Sequence, residues 1–161
     1  MTKQIPVSKG KSFAIVDDAD FEYLSQFKWQ LIGLGYAARN ISYKETGGRM
    51  KKMYMHIEIM GNRPEFSNID HINQNRLDNR RENLRFSTFS QNVSNRTILP
   101  NNTSGYKGVS WHKLSKKWTV GIQVNHKQIK LGLYQCKIEA AKTYNEAALK
   151  YHGEFASLNK I

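Results

Sequence analysis

Aspartate and histidine side chains stand next to each other in the most polar stretch of the chain. Residues 69–96 read IDHINQNRLDNRRENLRFSTFSQNVSNR, in which Asp70 and His71 are adjacent, Asn83 comes 12 positions after His71, and Asn92 comes 9 positions after Asn83. Carboxylate and amide oxygens suit a hard divalent cation such as Mg²⁺, and a neighbouring histidine can act as a general base on water. These residue types predict metal-assisted hydrolysis of phosphodiesters. Because the stretch is so polar, we expect it to lie outside the hydrophobic core.

The same residues resemble the motif of the HNH endonucleases, and specifically the homing endonucleases of phages and introns. In that family an Asp-His pair is followed by two spaced asparagines on a ββα hairpin and helix, and residues 56–61 (HIEIMG) resemble the helix that leads into it. The resemblance implies that Asp70 and Asn92 ligate a metal ion and that His71 is the general base. Asn83 would hydrogen-bond across the hairpin and fix the loop that carries His71. The implied activity is site-directed cleavage of DNA, which leaves 5′ phosphate and 3′ hydroxyl ends.

The cofactor implied by this resemblance is a divalent cation, Mg²⁺ with Mn²⁺ as a substitute. Some members of the family also hold structural zinc through CxxC pairs, but this chain has one cysteine, Cys136, so we expect no structural zinc. Taken singly, Asn83 could be a turn residue, Asn92 an exposed helical residue, and the Asp-His pair a surface contact. Their joint occurrence at the family spacing favours the catalytic interpretation.

Basic residues surround the motif. Phosphate neutralisation explains the four arginines near it better than solvation does, namely Arg76, Arg80, Arg81 and Arg85. His56 has two interpretations that the sequence leaves open, a phosphate contact at the site or packing of the helix. The remaining asparagines are interpreted as turn formers or phosphate contacts: Asn73, Asn75, Asn79 and Asn95.

The charge of the chain indicates a polyanionic partner. The 161 residues include 25 Lys and Arg against 13 Asp and Glu, which gives a net charge of +12. Residues 99–161 carry 10 basic and 3 acidic groups, whereas residues 69–98 carry 5 and 3. A turn-rich segment, LPNNTSG at 99–105, separates the two parts. We therefore expect an HNH module at 1–98, with its ββα-metal core at about 56–96, and a DNA-binding module at 99–161.

The C-terminal part alternates apolar and polar residues. The pattern predicts strands at 106–111, 117–124 and 128–134, an Asn125-His126 turn, and a helix at 139–148 with small residues on one face. Ile129 and Leu131 are expected to point inward and Gln128 and Lys130 outward. The result is a half-buried antiparallel sheet with a free polar face, a shape that suits a DNA major groove.

This part resembles the AP2 DNA-binding domain. The residues that carry the resemblance are Tyr106-Lys107-Gly108-Val109, Lys117-Trp118, Leu131-Gly132-Leu133-Tyr134, Glu139-Ala140-Ala141 with Tyr144, Ala147-Ala148, and the closing GEFASLN at 153–159. The positions from which the family's sheet contacts DNA are Lys107, Ser110, His112, Gln123, Gln128 and Lys130. Several of these positions hold Arg in plant members, so we expect binding that depends more on the DNA backbone than on the bases. Alternatively, the lysines merely solvate a β face.

The first 60 residues read as a scaffold of short strands at 12–16, 28–32, 36–41 and 51–56, the last after a Gly47-Gly48 turn, with a helix at 17–27. Trp29 and Tyr36 are expected in its core. The predicted fold class is therefore α+β: an HNH ββα-metal module followed by an AP2-type three-stranded antiparallel sheet packed on one helix.

No apolar run approaches the length of a membrane span, and the N-terminal residues lack a secretory signal. We therefore expect a cytoplasmic protein of a phage-infected or bacterial cell, with double-stranded DNA as partner and no membrane or small-molecule substrate. We also expect a monomer on DNA. The rival interpretation is a non-catalytic DNA-binding regulator whose HNH scaffold is degenerate. An RNA-binding protein is disfavoured, because no aromatic platform for single-stranded bases is recognisable.

Overall fold

The computed structural model describes residues 1–41, 47, 51–62 and 64–161. Contacts within the chain divide it into two units, Met1–Ser87 and Thr88–Ile161. The sequence predicts a boundary after residue 98. In the structure, residues 88–98 group with the second unit, so the division comes after Ser87. The functions assigned to the two modules stay predictions.

In its described residues, the first unit contains three small antiparallel sheets and two helices. Its elements are β1 (Thr2–Val7), β2 (Ser12–Asp17), α1 (Asp18–Ser25), β3 (Gln30–Ile32), β4 (Tyr36–Ile41), β5 (Lys51–Tyr54), α2 (Met55–Met60), β6 (Asn68–His71) and β7 (Leu84–Ser87). Strands β1 and β2 pair, β3, β4 and β5 form a sheet in that order, and β6 pairs with β7. A 3₁₀ turn, Arg81–Asn83, comes directly before β7.

The core of the first unit follows from the spacing of its apolar residues. Ile5 and Val7 on β1 and Ala14 and Val16 on β2 alternate inward, as the period of a strand requires. The other buried members are Leu24, Trp29, Ala37, Met55, Ile59, Ile69 and Leu84. The last two belong to the β6-β7 hairpin, so the core holds the hairpin that carries Asp70 and His71.

Two elements of this unit differ from the predicted ones. Strand β1 is additional, and its Pro6 is tolerated because both strands of a two-stranded sheet are edge strands. The strand predicted at 51–56 ends at Tyr54, because Met55 and Ile59 lie one helical turn apart and both reach the core from α2. Helix α2 lies where the resemblance implied a lead-in helix. The predicted Gly47-Gly48 turn includes Gly48, which lies outside the described residues.

The second unit is a three-stranded sheet packed on a long helix. Its elements are α3 (Phe89–Ser94), β8 (Val109–His112), β9 (Lys117–Val124), β10 (Lys127–Tyr134) and α4 (Lys137–His152), followed by a 3₁₀ turn, Gly153–Phe155. The strands are antiparallel in the order β10-β9-β8. Val109, Val120 and Ile122 pack against five residues of α4: Ala140, Ala141, Tyr144, Ala147 and Ala148. The mixed α and β character and this sheet-on-helix layout are as predicted, whereas the AP2 assignment stays a prediction.

Gly108 permits the sheet and helix to approach closely. Its φ is +73°, and a Cβ added there would lie 2.0 Å from the Cδ2 atom of Tyr144 and 2.7 Å from the carbonyl oxygen of Gly121. No other residue fits this position without moving the ring or the strand.

Candidate active site

The β6-β7 hairpin positions the candidate catalytic pair. Asp70 and His71 are the last two residues of β6, and they lie opposite Arg85 and Leu84 of β7. The loop between the strands returns through the 3₁₀ turn that ends at Asn83. Asp70, His71 and Asn83 therefore come together around one hairpin.

The polar stretch is not outside the core, and that prediction is wrong. Seven of its polar residues are buried: Asp70, His71, Asp78, Asn79, Asn83, Ser87 and Asn95. Burial of polar groups is tolerated where they hydrogen-bond to one another. A polar sequence therefore formed a buried hydrogen-bonded network rather than an exposed surface.

Asn83 is the centre of that network. Its Oδ1 accepts from the backbone N–H of Asn73 at 3.0 Å, and its Nδ2 donates to the Asn73 Oδ1 at 3.0 Å and to the Asp78 carbonyl at 2.7 Å. Its own carbonyl accepts from the N–H of Ile72 at 2.9 Å. Asn83 thus holds the loop directly after His71 in place, which is the contact pattern that its implied role needs.

His71 lies among aromatic rings and is only 4% exposed. Its ring centroid is 5.1 Å from that of His56 and 5.9 Å from that of Tyr36. Burial lowers the pKa of His71, against the opposing effects of Asn79, Asp70 and Asp78. The neutral ring, which is the form that can accept a proton, is therefore favoured.

Two of the neighbours of His71 bear on the sequence predictions. His56 is buried on α2 and packs edge-on against His71, so it borders the site; its role as a phosphate contact stays a prediction. Tyr36, expected in the core, is only half-buried and contacts both histidine rings. A single sequence gives no signal for this contact, because β4 and β6 are distant along the chain.

Asp70 offers the carboxylate that a cation would need. Its Oδ2 accepts hydrogen bonds from Arg85, from Nε at 3.0 Å and from Nη2 at 2.9 Å. Within the residues that the structure describes, there is no cluster of three or more His, Cys, Asp or Glu that could hold a metal. A single carboxylate with an amide oxygen fits Mg²⁺, which keeps several waters and uses substrate phosphate as a ligand.

The arginines predicted to contact phosphate have partners within the chain. Arg80 binds Asp78 through two bonds of 2.8 Å and also contacts Glu82, and Arg81 binds Asp20 at 2.7 and 2.9 Å. These ion pairs raise the pKa of Arg81 and lower that of Asp78.

The other two arginines are also engaged. Arg85 binds Asp70, and Arg76 donates to the Leu34 carbonyl while its guanidinium lies 5.0 Å from the Tyr36 ring centroid. The sequence does not predict these pairings, because several of the partners are distant in the chain. Contacts of the four arginines with DNA stay a prediction.

Asn92 lies on α3, in the second unit, whereas Asp70, His71 and Asn83 belong to the first. Helix α3 begins with a capping box, in which the Thr88 hydroxyl accepts from the N–H of Gln91 and the Gln91 side chain accepts from the N–H of Thr88. The amide N–H of Asn92 donates to the Thr88 carbonyl at 3.0 Å. The local sequence therefore fixes where this helix begins.

Lys107 does not lie on the sheet face as predicted. It comes before Gly108, where the chain turns, and β8 begins only at Val109. Its Nζ donates to the Ser94 carbonyl at 2.5 Å and to the Arg96 carbonyl at 2.8 Å, at the end of α3. Burial lowers the pKa of Lys107 to about 8. Lys107 thus caps the end of α3, and its contact with DNA stays a prediction.

The other five predicted DNA contacts share the free side of the sheet or its edge. Ser110, His112, Gln123, Gln128 and Lys130 are all exposed. The register pairs Gln128 with Gln123 and Lys130 with Gly121, so these groups stand in adjacent rows. Since Gly121 has no side chain, the Gln128 amide lies across it. The arrangement is an open polar surface without acidic residues on these positions.

Comparison with known proteins identifies the family. The profile of the HNH endonucleases matches residues 58–94. An uncharacterized HNH endonuclease of Acanthamoeba polyphaga mimivirus is 31% identical over 157 residues, which are 96% of this chain and 79% of that protein. The chain belongs to the HNH endonuclease family. The segment matched by the HNH profile contains all four candidate residues, Asp70, His71, Asn83 and Asn92.

A further relative of this HNH protein is Protein 3.8 of Escherichia phage T7, which is 30% identical over 119 residues, 71% of this chain and 95% of that protein. No solved structure matches the HNH chain. HNH nucleases generally use a divalent metal, in agreement with the oxygen donors described above. None of the helices in the described part of the chain is both long and apolar enough to cross a membrane.

Proposed function

We propose that this chain is a site-directed DNA endonuclease that hydrolyses phosphodiesters with a divalent metal. The observation that carries the proposal is the β6-β7 hairpin, on which Asp70 and His71 are adjacent and Asn83 locks the loop between the strands. Membership of the HNH family supports it. The two relatives are viral proteins, which supports a homing endonuclease of a phage or similar element.

In this reaction His71 accepts a proton from the attacking water, and Asn83 keeps the His71 loop in position. Asp70 and Asn92 are the residues that would hold the cation, through a carboxylate and an amide oxygen. When bound, the cation, Mg²⁺ with Mn²⁺ as a substitute, supplies positive charge to the scissile phosphate and to the leaving 3′ oxygen. The products are 5′ phosphate and 3′ hydroxyl ends.

Double-stranded DNA is held by the second unit, acting as an AP2-type domain and, we propose, as a monomer. The support is the exposed polar sheet face together with the surplus of 10 basic over 3 acidic residues at 99–161. The contacts come from Ser110, His112, Gln123, Gln128 and Lys130. Lysine contacts phosphate as a point charge, so backbone contacts should outweigh base contacts.

The second candidate function is a DNA-binding regulator without cleavage activity. One observation favours it: His71 is buried, and Asp70 is already paired with Arg85. An active enzyme needs water and phosphate to reach these groups when DNA binds. A regulator that only binds DNA does not need water or phosphate to reach them.

The test is cleavage of a supercoiled plasmid that carries candidate host loci, in Mg²⁺ or Mn²⁺, by wild type and His71→Asn. Removal of a general base should slow cleavage by about 10²- to 10⁴-fold and leave DNA binding unchanged. The matched control is His126→Asn, in the β9-β10 turn, where Asn tolerates the φ of 63°. Wild-type protein that binds these DNAs and cuts none of them would establish the regulator instead.

A further inference from the structure

Asn79 is a buried amide in the nuclease unit to which the proposed reaction assigns no role. Its side chain is 1% exposed, and its Oδ1 lies 3.3 Å from the Nε2 of His71. The sequence predicts only a turn former or a phosphate contact at this position. Contact with the proposed base, from inside the protein, requires another explanation.

The backbone around Asn79 is fixed from outside the hairpin. The N–H of Asn79 donates to the Ile15 carbonyl at 2.8 Å, and the N–H of Ile15 donates to the Leu77 carbonyl at 2.7 Å. These bonds form a parallel bridge between Ile15 of β2 and Asp78. The ion pair of Asp78 with Arg80 holds the neighbouring residue as well. Strand β2 therefore sets the position of the Asn79 side chain independently of His71.

The chemistry of the contact selects one form of the imidazole. An amide oxygen only accepts hydrogen bonds, so the ring nitrogen that faces it must carry the proton. A neutral imidazole has one N–H and one lone pair. With the proton on Nε2, the lone pair of His71 is on Nδ1.

The arrangement is retained at a cost. The Nδ2 of Asn79 is buried and has no hydrogen-bond partner among the residues that the structure describes. An unpaired buried N–H is unfavourable, so its presence needs an explanation, and a role at a functional site is one. An apolar side chain would avoid this cost but would not accept from His71.

We propose that Asn79 is a positioning residue that holds the His71 ring as the Nε2–H tautomer, so that Nδ1 is the proton-accepting atom. The inference rests on the proposed function of His71 as the base. Its structural part, the tautomer, is measured without any reaction, so failure of the two proposals can be told apart.

The experiment is NMR of ¹⁵N-labelled protein, with the ring nitrogens of His71 observed at a pH where the imidazole is neutral. Wild type should show the proton on Nε2. Asn79→Leu should show a mixture of tautomers, and Asn79→Asp, whose carboxylate also accepts, should restore the Nε2–H form. Asn101→Leu makes the same change at an exposed position of the second unit and should leave the tautomer as in wild type.

Cleavage should follow the tautomer. Asn79→Leu should cut DNA about 10- to 100-fold more slowly, as is typical when an outer hydrogen-bond partner is lost. Its DNA affinity should not change, and Asn79→Asp should recover part of the rate. A purely structural role would lower stability in both variants without this difference between them.

Three results overturn the inference. A wild-type proton on Nδ1 would mean that the Asn79 amide donates to Nε2 instead of accepting. An Asn79→Leu protein that keeps a single Nε2–H tautomer, or that cleaves as wild type does, would show that other groups orient the ring. If Asn79→Leu does not fold, the tautomer measured in wild type tests the inference without the variant. If wild type cuts no DNA, the endonuclease proposal fails while the tautomer is still decided.

Discussion

Lys107 offers a direct choice between a DNA contact and a helix cap. Its ammonium is partly buried against the Ser94 and Arg96 carbonyls. Lys107→Met keeps most of the side-chain volume and removes the charge. If Lys107 is a cap, the substitution should destabilise the second unit and leave the electrostatics of DNA binding nearly unchanged.

The size of the effect follows from two opposing contributions. Hydrogen bonds from a charged donor contribute about 1.5–3 kcal/mol each, so the loss of two costs about 3–6 kcal/mol. Burial opposes this, because it lowers the pKa from 10.5 to about 8. In a fully buried site, a drop of this size corresponds to a cost of about 3 kcal/mol for burying the charged ammonium. For Lys107 the cost is about half of that value, because the side chain is partly exposed. The net loss should be about 1–4 kcal/mol.

The lowered pKa of Lys107 also determines how the free energy of unfolding depends on pH. Between about 8 and 10.5 the unfolded chain binds more protons at Lys107 than the folded chain does, so the free energy of unfolding rises with pH. Wild type should therefore gain stability relative to Lys107→Met across this range. Urea unfolding at several pH values measures both the loss at neutral pH and this trend.

DNA binding at several salt concentrations completes the test. Lys130→Met, on the exposed sheet face, is the control with the same change of charge. Loss of one phosphate contact should reduce the salt slope by about 0.9 for Lys130→Met and leave it unchanged for Lys107→Met. An equally stable Lys107→Met protein with a reduced salt slope would refute the capping argument and restore the DNA contact.

Three further substitutions test contacts within the two units. Gly108→Ala should destabilise the second unit by about 2–4 kcal/mol in thermal unfolding, because the methyl group overpacks the site and φ is positive. The control is Gly105→Ala, which has open space around it and should cost only about 1 kcal/mol. Arg39 pairs with the buried side chain of Glu58 through hydrogen bonds of 2.7 and 3.0 Å. Arg39→Met should cost about 3–5 kcal/mol, because it leaves the Glu58 carboxylate buried without this ion pair. Adding Glu58→Gln should recover most of the loss in a double-mutant cycle. Asn83→Ala should cost about 2–4 kcal/mol in urea unfolding, since three side-chain hydrogen bonds disappear, and a loss below about 0.5 kcal/mol would contradict the network.

The sheet of the second unit was predictable because alternation is a local property. Strand β9, Lys117–Val124, has the predicted bounds, and Asn125 and His126 have the positive φ values of a tight turn. Strand β10 departs from the pattern at a bulge between Lys130 and Gly132, after which Leu133 is 49% exposed. A bulge depends on pairing with the neighbouring strand, so the alternation within β10 could not reveal it.

The site was predictable in its residue types and not in its surroundings. The resemblance carried by Asp70, His71 and Asn83 implied a hairpin whose loop Asn83 fixes, and the structure has a hairpin in which Asn83 bonds to that loop, while the catalytic roles stay predictions. Burial of this polar loop could not be predicted, because it depends on partners such as Asp20 and Ile15 in distant elements. Local composition reports how polar a segment is, and it does not report whether the rest of the chain can satisfy it.

The bond between β2 and the loop limits how the nuclease segment could be reused in another protein. The HNH profile covers residues 58–94, yet the loop that holds Asn79 is fixed by the backbone of Ile15. A graft of residues 58–94 onto another scaffold would leave the N–H of Asn79 and the carbonyl of Leu77 without these partners. The smallest portable unit must therefore include the N-terminal hairpin, residues 2–17, although that hairpin lies outside the matched segment.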